Sequence, residues 1–167
     1  MWTVLLTFVS FAANAQDTCG LKKVKDPFTN VTKLSTGFKN FSSNVGPVSI
    51  SADATPTEID YFIWVKADGK CFDMESTAQL IWEGERSKAT FRNSGSMNCE
   101  GAFHFNFKNT PTPHSWLRKM MAKKIATIKL TGNNNSETII TLTEEQKNIF
   151  QRMAICITNE GKELRSK

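Results

Sequence analysis

The chain has 167 residues, of which 40% are hydrophobic and 22% are charged. This composition is that of a folded globular protein, and it excludes a disordered or low-complexity chain. The formal net charge is +5. Because the lysines are scattered along the sequence, we expect a generally basic surface and no specific nucleic-acid binding.

Residues 1–15 have the features of a signal peptide. An apolar run over residues 4–13 leads into Ala13-Asn14-Ala15, a small-x-small sequence that predicts cleavage before Gln16. Only the α-amino group is positive at the start, and the alternative is a buried N-terminal strand or helix. The run is shorter than the roughly 20 residues of a transmembrane helix, and no other stretch approaches that length. The sequence therefore predicts an exported protein, periplasmic or secreted, with no transmembrane segment.

The four cysteines all follow this segment, at Cys19, Cys71, Cys99 and Cys156. An even number in an exported domain predicts two disulfide bonds, with three pairings open. We favour Cys19–Cys156, which ties the two ends together, and Cys71–Cys99, which joins two neighbouring β segments. A zinc site is the alternative, but no Cys-x-x-Cys pair is present, so we expect no metal and no cofactor. Lipidation of Cys19 is a further alternative, although the preceding residues lack the small and apolar side chains that it requires.

Residues 16–32 are polar and predict an N-terminal extended segment, after which short β signals follow one another. Residues 59–65 form the strongest predicted strand because they are rich in β-branched and aromatic side chains. Asp68-Gly69 is a typical hairpin turn, and we expect the partner strand to begin at Cys71. Residues 102–107 alternate strictly, which places Phe103, Phe105 and Phe107 in the core.

The pattern changes to helix, hairpin and helix in the last third of the chain. We predict a helix near residues 113–122, capped by Thr112 with Pro113 at its first position. A hairpin follows, with its first arm alternating over residues 125–130. A second helix over residues 143–157 begins with a capping box of Thr143 and Gln146. Residues 158–167 are polar, and we expect a frayed tail.

These elements predict one β-rich domain over residues 33–157. Strands followed by C-terminal helices are typical of the α+β class. The alternation along several strands leaves one face wet, which favours antiparallel pairing. We predict an antiparallel β-sheet or sandwich with two helices near the C-terminus.

Four stretches of the sequence are Asp26-Pro27-Phe28-Thr29, Ser35-Thr36-Gly37-Phe38, residues 123–130 and Ala154-Ile155-Cys156-Ile157. Together they resemble stretches of a loose group of short exported proteins of unknown function from Gram-negative bacteria. The resemblance is strongest in the last third of the chain, and it implies export and a β-rich fold with a C-terminal helix. It brings no activity to this chain.

No sequence motif predicts catalytic residues. His104 lies on the polar face of residues 102–107, where a surface or pairing role is the simpler interpretation. A Cys99 nucleophile with His104 as its base requires a free thiolate, which a disulfide at Cys99 removes. The acid pairs Glu83/Glu85 and Asp73/Glu75 have the composition of a glycosidase site, but both lie at expected turns.

Three tryptophans, Trp64, Trp82 and Trp116, are weak candidates for lining a concave binding site. Trp64 and Trp82 lie in strongly apolar strands, so we expect both to pack in the core. Asn-x-Ser/Thr sequons occur at Asn30, Asn40 and Asn134, a number near chance for this composition.

The absence of a catalytic motif and the predicted export favour a non-catalytic binding or structural domain. Its partner would be a surface glycan, a protein or a small apolar ligand. One alternative is a small hydrolase with a site assembled from distant residues. The other is a carrier of an apolar small ligand. An exposed aromatic patch over a filled core would favour a protein or sugar partner over the carrier.

Overall fold

The computed structural model describes residues 19–25 and 30–165. The predicted signal peptide of residues 1–15 and the stretch at residues 26–29 lie outside the described residues. Within them the chain forms ten β-strands and two α-helices, and every strand pairing is antiparallel. The elements are β1 (Lys22–Lys25), β2 (Thr32–Ser35), β3 (Lys39–Ser43), β4 (Gly46–Ala54), β5 (Glu58–Val65), β6 (Thr77–Trp82), β7 (Lys88–Arg92), β8 (Ala102–Lys108), α1 (Ser115–Ala122), β9 (Ile125–Thr131), β10 (Glu137–Thr141) and α2 (Glu144–Gly161).

The strands form two sheets, and the predicted α+β sandwich is confirmed. The six-stranded sheet has the order β1-β2-β4-β5-β8, with β3 also paired to β4, and the four-stranded sheet has the order β10-β9-β6-β7. The sheets are joined at one edge, where the Asn44 N–H donates to the Ile139 carbonyl at 3.0 Å. In return, the Ile139 N–H donates to Asn44 Oδ1 at 2.7 Å.

The core lies between the sheets and α2. The alternation along β8 predicts its inward face correctly, since Phe103, Phe105 and Phe107 are all buried. Phe105 stacks on Phe91 of the opposite sheet, with the ring centroids 4.8 Å apart. Tyr61 of β5 stacks on Phe150 of α2 at 5.9 Å. Aromatic contacts therefore connect all three layers, and such contacts add to the free energy gained by burying the rings.

A β-bulge interrupts β9, so the simple alternation expected along residues 125–130 is not observed. Ile81 of β6 pairs with Thr127, whereas the next residue, Trp82, pairs with Ile125. The extra residue, Ala126, resets the period of two, so that both Ile125 and Ile128 face the core.

The helices begin where capping groups are available. The predicted capping box of α2 is confirmed, with the Gln146 N–H donating to Thr143 Oγ1. The predicted Thr112 cap of α1 is wrong. His114 caps this helix through Nδ1, which accepts from the Trp116 N–H at 3.3 Å. The helix therefore begins at Ser115, two residues after Pro113.

The chain beyond residue 157 is not frayed in the described part. Helix α2 continues to Gly161, and a 3₁₀ turn follows over Lys162–Arg165. Thr158 is buried, and Asn109 Nδ2 donates to the Gly161 carbonyl at 2.8 Å. This buried hydrogen bond explains why a polar sequence remains attached to the domain.

The hairpin predicted at Asp68-Gly69 is also wrong, because β5 pairs with β4 and β8 and not with the segment at Cys71. That segment contributes only an isolated bridge between Phe72 and Asn98.

Two disulfides, Cys19–Cys156 and Cys71–Cys99, have the pairing that the sequence favours. Neither described helix has an apolar stretch long enough to cross a bilayer.

Candidate functional site

Three aromatic side chains lie together on the outer face of the six-stranded sheet. Phe62 and Trp64 occupy alternate positions of β5, so they project from the same face about 7 Å apart. The Phe38 ring meets Phe62 edge-on, with the ring centroids 5.7 Å apart. Phe38 is 54% exposed and Trp64 is 41% exposed, while Phe62 between them is half-buried. We call Phe38, Phe62 and Trp64 the aromatic row.

A break in the edge of the sheet positions Phe38. Strands β2 and β3 pair with successive parts of β4, and residues 36–38 interrupt them. Gly37 has a φ of +63°, a conformation that glycine adopts without steric cost. The Thr36 N–H donates to the Ala52 carbonyl at 3.0 Å, and Thr36 Oγ1 accepts from the Ala52 N–H at 2.9 Å. These bonds hold the break against β4, so the Phe38 ring is carried on an anchored segment.

Trp64 is held at the other end of the aromatic row. Its indole Nε1–H donates to the Glu100 carbonyl at 3.0 Å. The Lys66 ammonium lies 5.1 Å from the ring centroid, within the range of a cation–π interaction. The ring is therefore exposed to solvent but fixed in orientation. This lowers the entropic cost of ordering the side chain when a ligand binds.

Two carboxylates lie directly beside these rings. Asp53 of β4 and Asp60 of β5 are opposite each other in the strand register. Like charges in this position destabilise a sheet unless each has a partner. Asp53 accepts from Lys33 Nζ at 2.8 Å and from Ser35 Oγ at 2.5 Å. Asp60 accepts from His104, so each carboxylate has its own partner.

His104 of β8 links the carboxylates to the aromatic row. Its Nδ1–H donates to Asp60 Oδ2 at 3.0 Å, and its ring centroid is 4.5 Å from that of Phe62. Its backbone N–H donates to Asn93 Oδ1 at 2.9 Å. The pairing role expected for His104 is therefore what the structure shows. A shallow cavity of about 380 Å³ is lined by His104, both carboxylates, Phe62 and Phe38.

The strand register separates the serine of this face from the histidine. Ser51 carries a hydroxyl on the same face of the sheet. Ser51 of β4 pairs with Phe62 of β5, and Phe62 pairs with His104 of β8, so Phe62 lies between the serine and the histidine. Two strand spacings separate Ser51 from His104, about 10 Å, which is too far for the imidazole to accept the hydroxyl proton directly. The Cys99 nucleophile hypothesis is wrong, because Cys99 is bonded to Cys71.

The three tryptophans predicted as candidates do not converge. Trp64 lies on the outer face, and the expectation that it packs in the core is wrong. Its strand partners are Ser49 and Ala102, which place it in the outward-facing register. Trp82 is buried as expected, and it stacks on Trp116 with the centroids 5.5 Å apart. Lys119 Nζ lies 4.2 Å from the Trp82 ring centroid, so this pair belongs to the packing of α1.

The acid pairs serve turns and ion pairs. Glu85 accepts from Lys119 Nζ and Ser87 Oγ, each at 2.6 Å, and from Lys123 Nζ. Hydrogen bonds from Lys119, Lys123 and Ser87 lower the pKa of Glu85 to about 2. A hydrogen bond from the Ser76 hydroxyl is the largest cause that lowers the pKa of Asp73. Neither carboxylate has the raised pKa of a general acid.

Sequence reasoning missed Phe38, Phe62, Asp53 and Asp60. The alternation of β4 and β5 was a signal for three of them, because Asp53, Asp60 and Phe62 occupy outward positions of these strands.

Comparisons of the chain with protein-family models, with curated proteins and with solved structures give no match.

Proposed function

We propose that the protein is an exported, non-catalytic binding domain whose ligand is a surface glycan held on the aromatic row. The observation that carries the proposal is the placement of two exposed rings and one half-buried ring beside two paired carboxylates on one face of a sheet. An exposed apolar patch with a polar surround is typical of an interaction site.

The chemistry of a sugar ring matches this face. A pyranose has one or two apolar faces of C–H groups, and its rim carries hydroxyls that both donate and accept hydrogen bonds. The exposed ring of Trp64 and the half-buried ring of Phe62 offer apolar surfaces about 7 Å apart for adjoining sugar units. Asp53 and Asp60 accept hydrogen bonds from hydroxyls at the rim. A chain of two or three sugar units would therefore contact rings and carboxylates together.

The charges on the face favour a sugar over a protein partner. Charged residues are depleted at the centre of protein–protein interfaces, because a partner must remove water from them. Here Lys33, Asp53 and Asp60 line the same cavity as Phe38 and Phe62. A glycan keeps most of these groups hydrated or replaces their water with its own hydroxyls, so it binds without that desolvation cost.

Two further features support export. The two disulfides, Cys19–Cys156 and Cys71–Cys99, are typical of an oxidising compartment. The apolar run and the small-x-small sequence of residues 1–15 are those of a secretory signal. On this proposal the mature protein starts at Gln16 and works in the periplasm or outside the cell.

The test is a panel of bacterial and host surface polysaccharides, screened with protein recovered from an exporting host. A positive glycan is then titrated by calorimetry against the wild type and the variants Phe62→Ala and Trp64→Ala. We expect each variant to weaken binding by about tenfold or more, because each removes a stacking surface. The matched control is Met74→Ala, since Met74 is an apolar side chain 71% exposed on another surface.

The proposal predicts that Met74→Ala binds as the wild type does. Trp64→Ala and Met74→Ala should melt near the wild-type temperature, because both replaced side chains are exposed. No binding to any glycan in the panel would contradict the proposal. Equal affinity of Trp64→Ala and wild type for a positive glycan would place the binding elsewhere and also contradict it.

A further inference from the structure

A second concave site lies on the inner side of the six-stranded sheet, next to the disulfide that joins the ends of the domain. The cavity has a volume of about 350 Å³ and opens between α2 and the first strands. Leu21, Ile149 and Met153 supply its apolar wall, and the Cys19–Cys156 disulfide forms one side. It is separate from the face that carries the aromatic row.

Two structural features form this cavity. The break at residues 36–38 leaves a gap in the edge of the sheet between β2 and β3, and Thr36 and Lys39 line the gap. On the opposite side, the disulfide fixes Cys19 to α2, which keeps Leu21 near the helix. Because one wall is covalently attached and the other is hydrogen-bonded to β4, the cavity is formed before any ligand binds.

The rim of the cavity is positive. Lys39 pairs with Ile50 in the strand register, and Ile50 is fully buried in the core. Lys39 therefore projects from the side of the sheet that faces α2, where Arg152 also lines the cavity. None of the described residues that line the cavity carries a carboxylate. A lysine on an edge strand also discourages pairing with another chain, but that role does not require apolar side chains beneath it.

We infer that this cavity binds a free carboxylate with an apolar chain of medium length, such as octanoate or decanoate. The carboxylate lies at the rim near the Lys39 side chain, and the chain lies along Leu21, Ile149 and Met153. A volume of about 350 Å³ is at the small end of ligand cavities, which matches a chain of eight to ten carbons rather than a long-chain lipid.

The intact, disulfide-bonded protein is titrated with hexanoate, octanoate and decanoate below their micelle concentrations. Calorimetry measures the affinity for each. Burial of each added methylene should strengthen binding roughly fourfold until the cavity is filled. Decanol is the neutral comparison, and it should bind at least tenfold more weakly than decanoate. Amide signals of Leu21 and Ile149 in an NMR titration should shift, because these residues contact the chain.

Charge-reversal variants separate this site from general attraction of an anion to a basic protein. Lys39→Glu should weaken decanoate binding at least tenfold. Lys88→Glu is the matched control, because Lys88 is an exposed lysine on an edge strand of the other sheet, and it should bind as the wild type does. Both side chains are exposed, so both variants should fold.

Three outcomes would overturn the inference. Decanol binding as tightly as decanoate would show that the positive rim has no role. Equal losses in Lys39→Glu and Lys88→Glu would show only non-specific attraction. Binding to vesicles that contain anionic phospholipid, without binding to the free carboxylates, would assign the site to a membrane surface instead.

Discussion

Removing the buried hydroxyl of Tyr61 should stabilise the protein. Tyr61 is fully buried between the rings of Phe105 and Phe150, with centroid distances of 5.0 and 5.9 Å. Its hydroxyl has no hydrogen-bond partner among the described residues, and burial raises its pKa. A buried polar group without a partner costs about 1–3 kcal/mol, whereas phenylalanine keeps the same ring contacts without that cost.

We therefore expect Tyr61→Phe to raise the free energy of unfolding by about 1–2 kcal/mol, which is about 2–8 °C in melting temperature for a domain of this size. Urea unfolding followed by circular dichroism measures the free energy, and calorimetry measures the melting temperature. Phe105→Tyr is the reciprocal control, because it adds a hydroxyl to the same stack and should destabilise. A Tyr61→Phe variant that is no more stable than the wild type would refute the reasoning, since the hydroxyl would then have a partner.

Two further predictions concern a glycine and an ion-paired carboxylate. Gly101→Ala should lose at least about 2 kcal/mol in urea unfolding, because its φ is +77° and a Cβ would lie 2.1 Å from the Val65 carbonyl oxygen. Gly37→Ala, with a similar φ and no atom near the added Cβ, should lose less, and the reverse order would contradict this account. Glu85 has a pKa of about 2, below its ordinary 4.5, so its ion pairs stabilise the protein above pH 4.5 and this contribution is lost as the pH falls towards 2. The melting temperature of Glu85→Gln should therefore vary less between pH 5 and pH 2 than that of the wild type, and parallel profiles would contradict the assignment.

The sequence predicts what local periodicity determines. The alternation of β8 identifies its three core phenylalanines, and the capping box locates the start of α2. Both depend on residues close together in the chain, where a period of two or a four-residue motif leaves one interpretation.

The candidate site depends instead on contacts between distant residues. His104 and Asp60 are 44 positions apart, and their contact exists only because β5 and β8 pair in one register. Phe38 reaches Phe62 only because β2 and β3 share an edge of β4 with a break between them. Neither pairing partner nor register is encoded locally, so the sequence alone does not bring these residues together.

The wrong predictions for Trp64 and for the C-terminal tail also arise from contacts between distant residues. Trp64 belongs to an apolar strand, and its register with Ser49 and Ala102 places it on the outward face. The polar tail beyond residue 157 has the composition of a frayed end, but a buried hydrogen bond from Asn109 to Gly161 and the packing of Leu164 against the core attach it. A strong local propensity is therefore overruled in each case by a tertiary contact.

The central claim, that the aromatic row binds a glycan, is tested most directly through the indole N–H signals of an isotope-labelled sample. Trp64, Trp82 and Trp116 each give one such signal in the domain, and only Trp64 belongs to the aromatic row. A glycan selected from the panel should shift the Trp64 signal and the amides of Phe62 and His104, and it should leave Trp82 and Trp116 unchanged. Shifts confined to Trp82, Trp116 or residues away from this face would contradict the account.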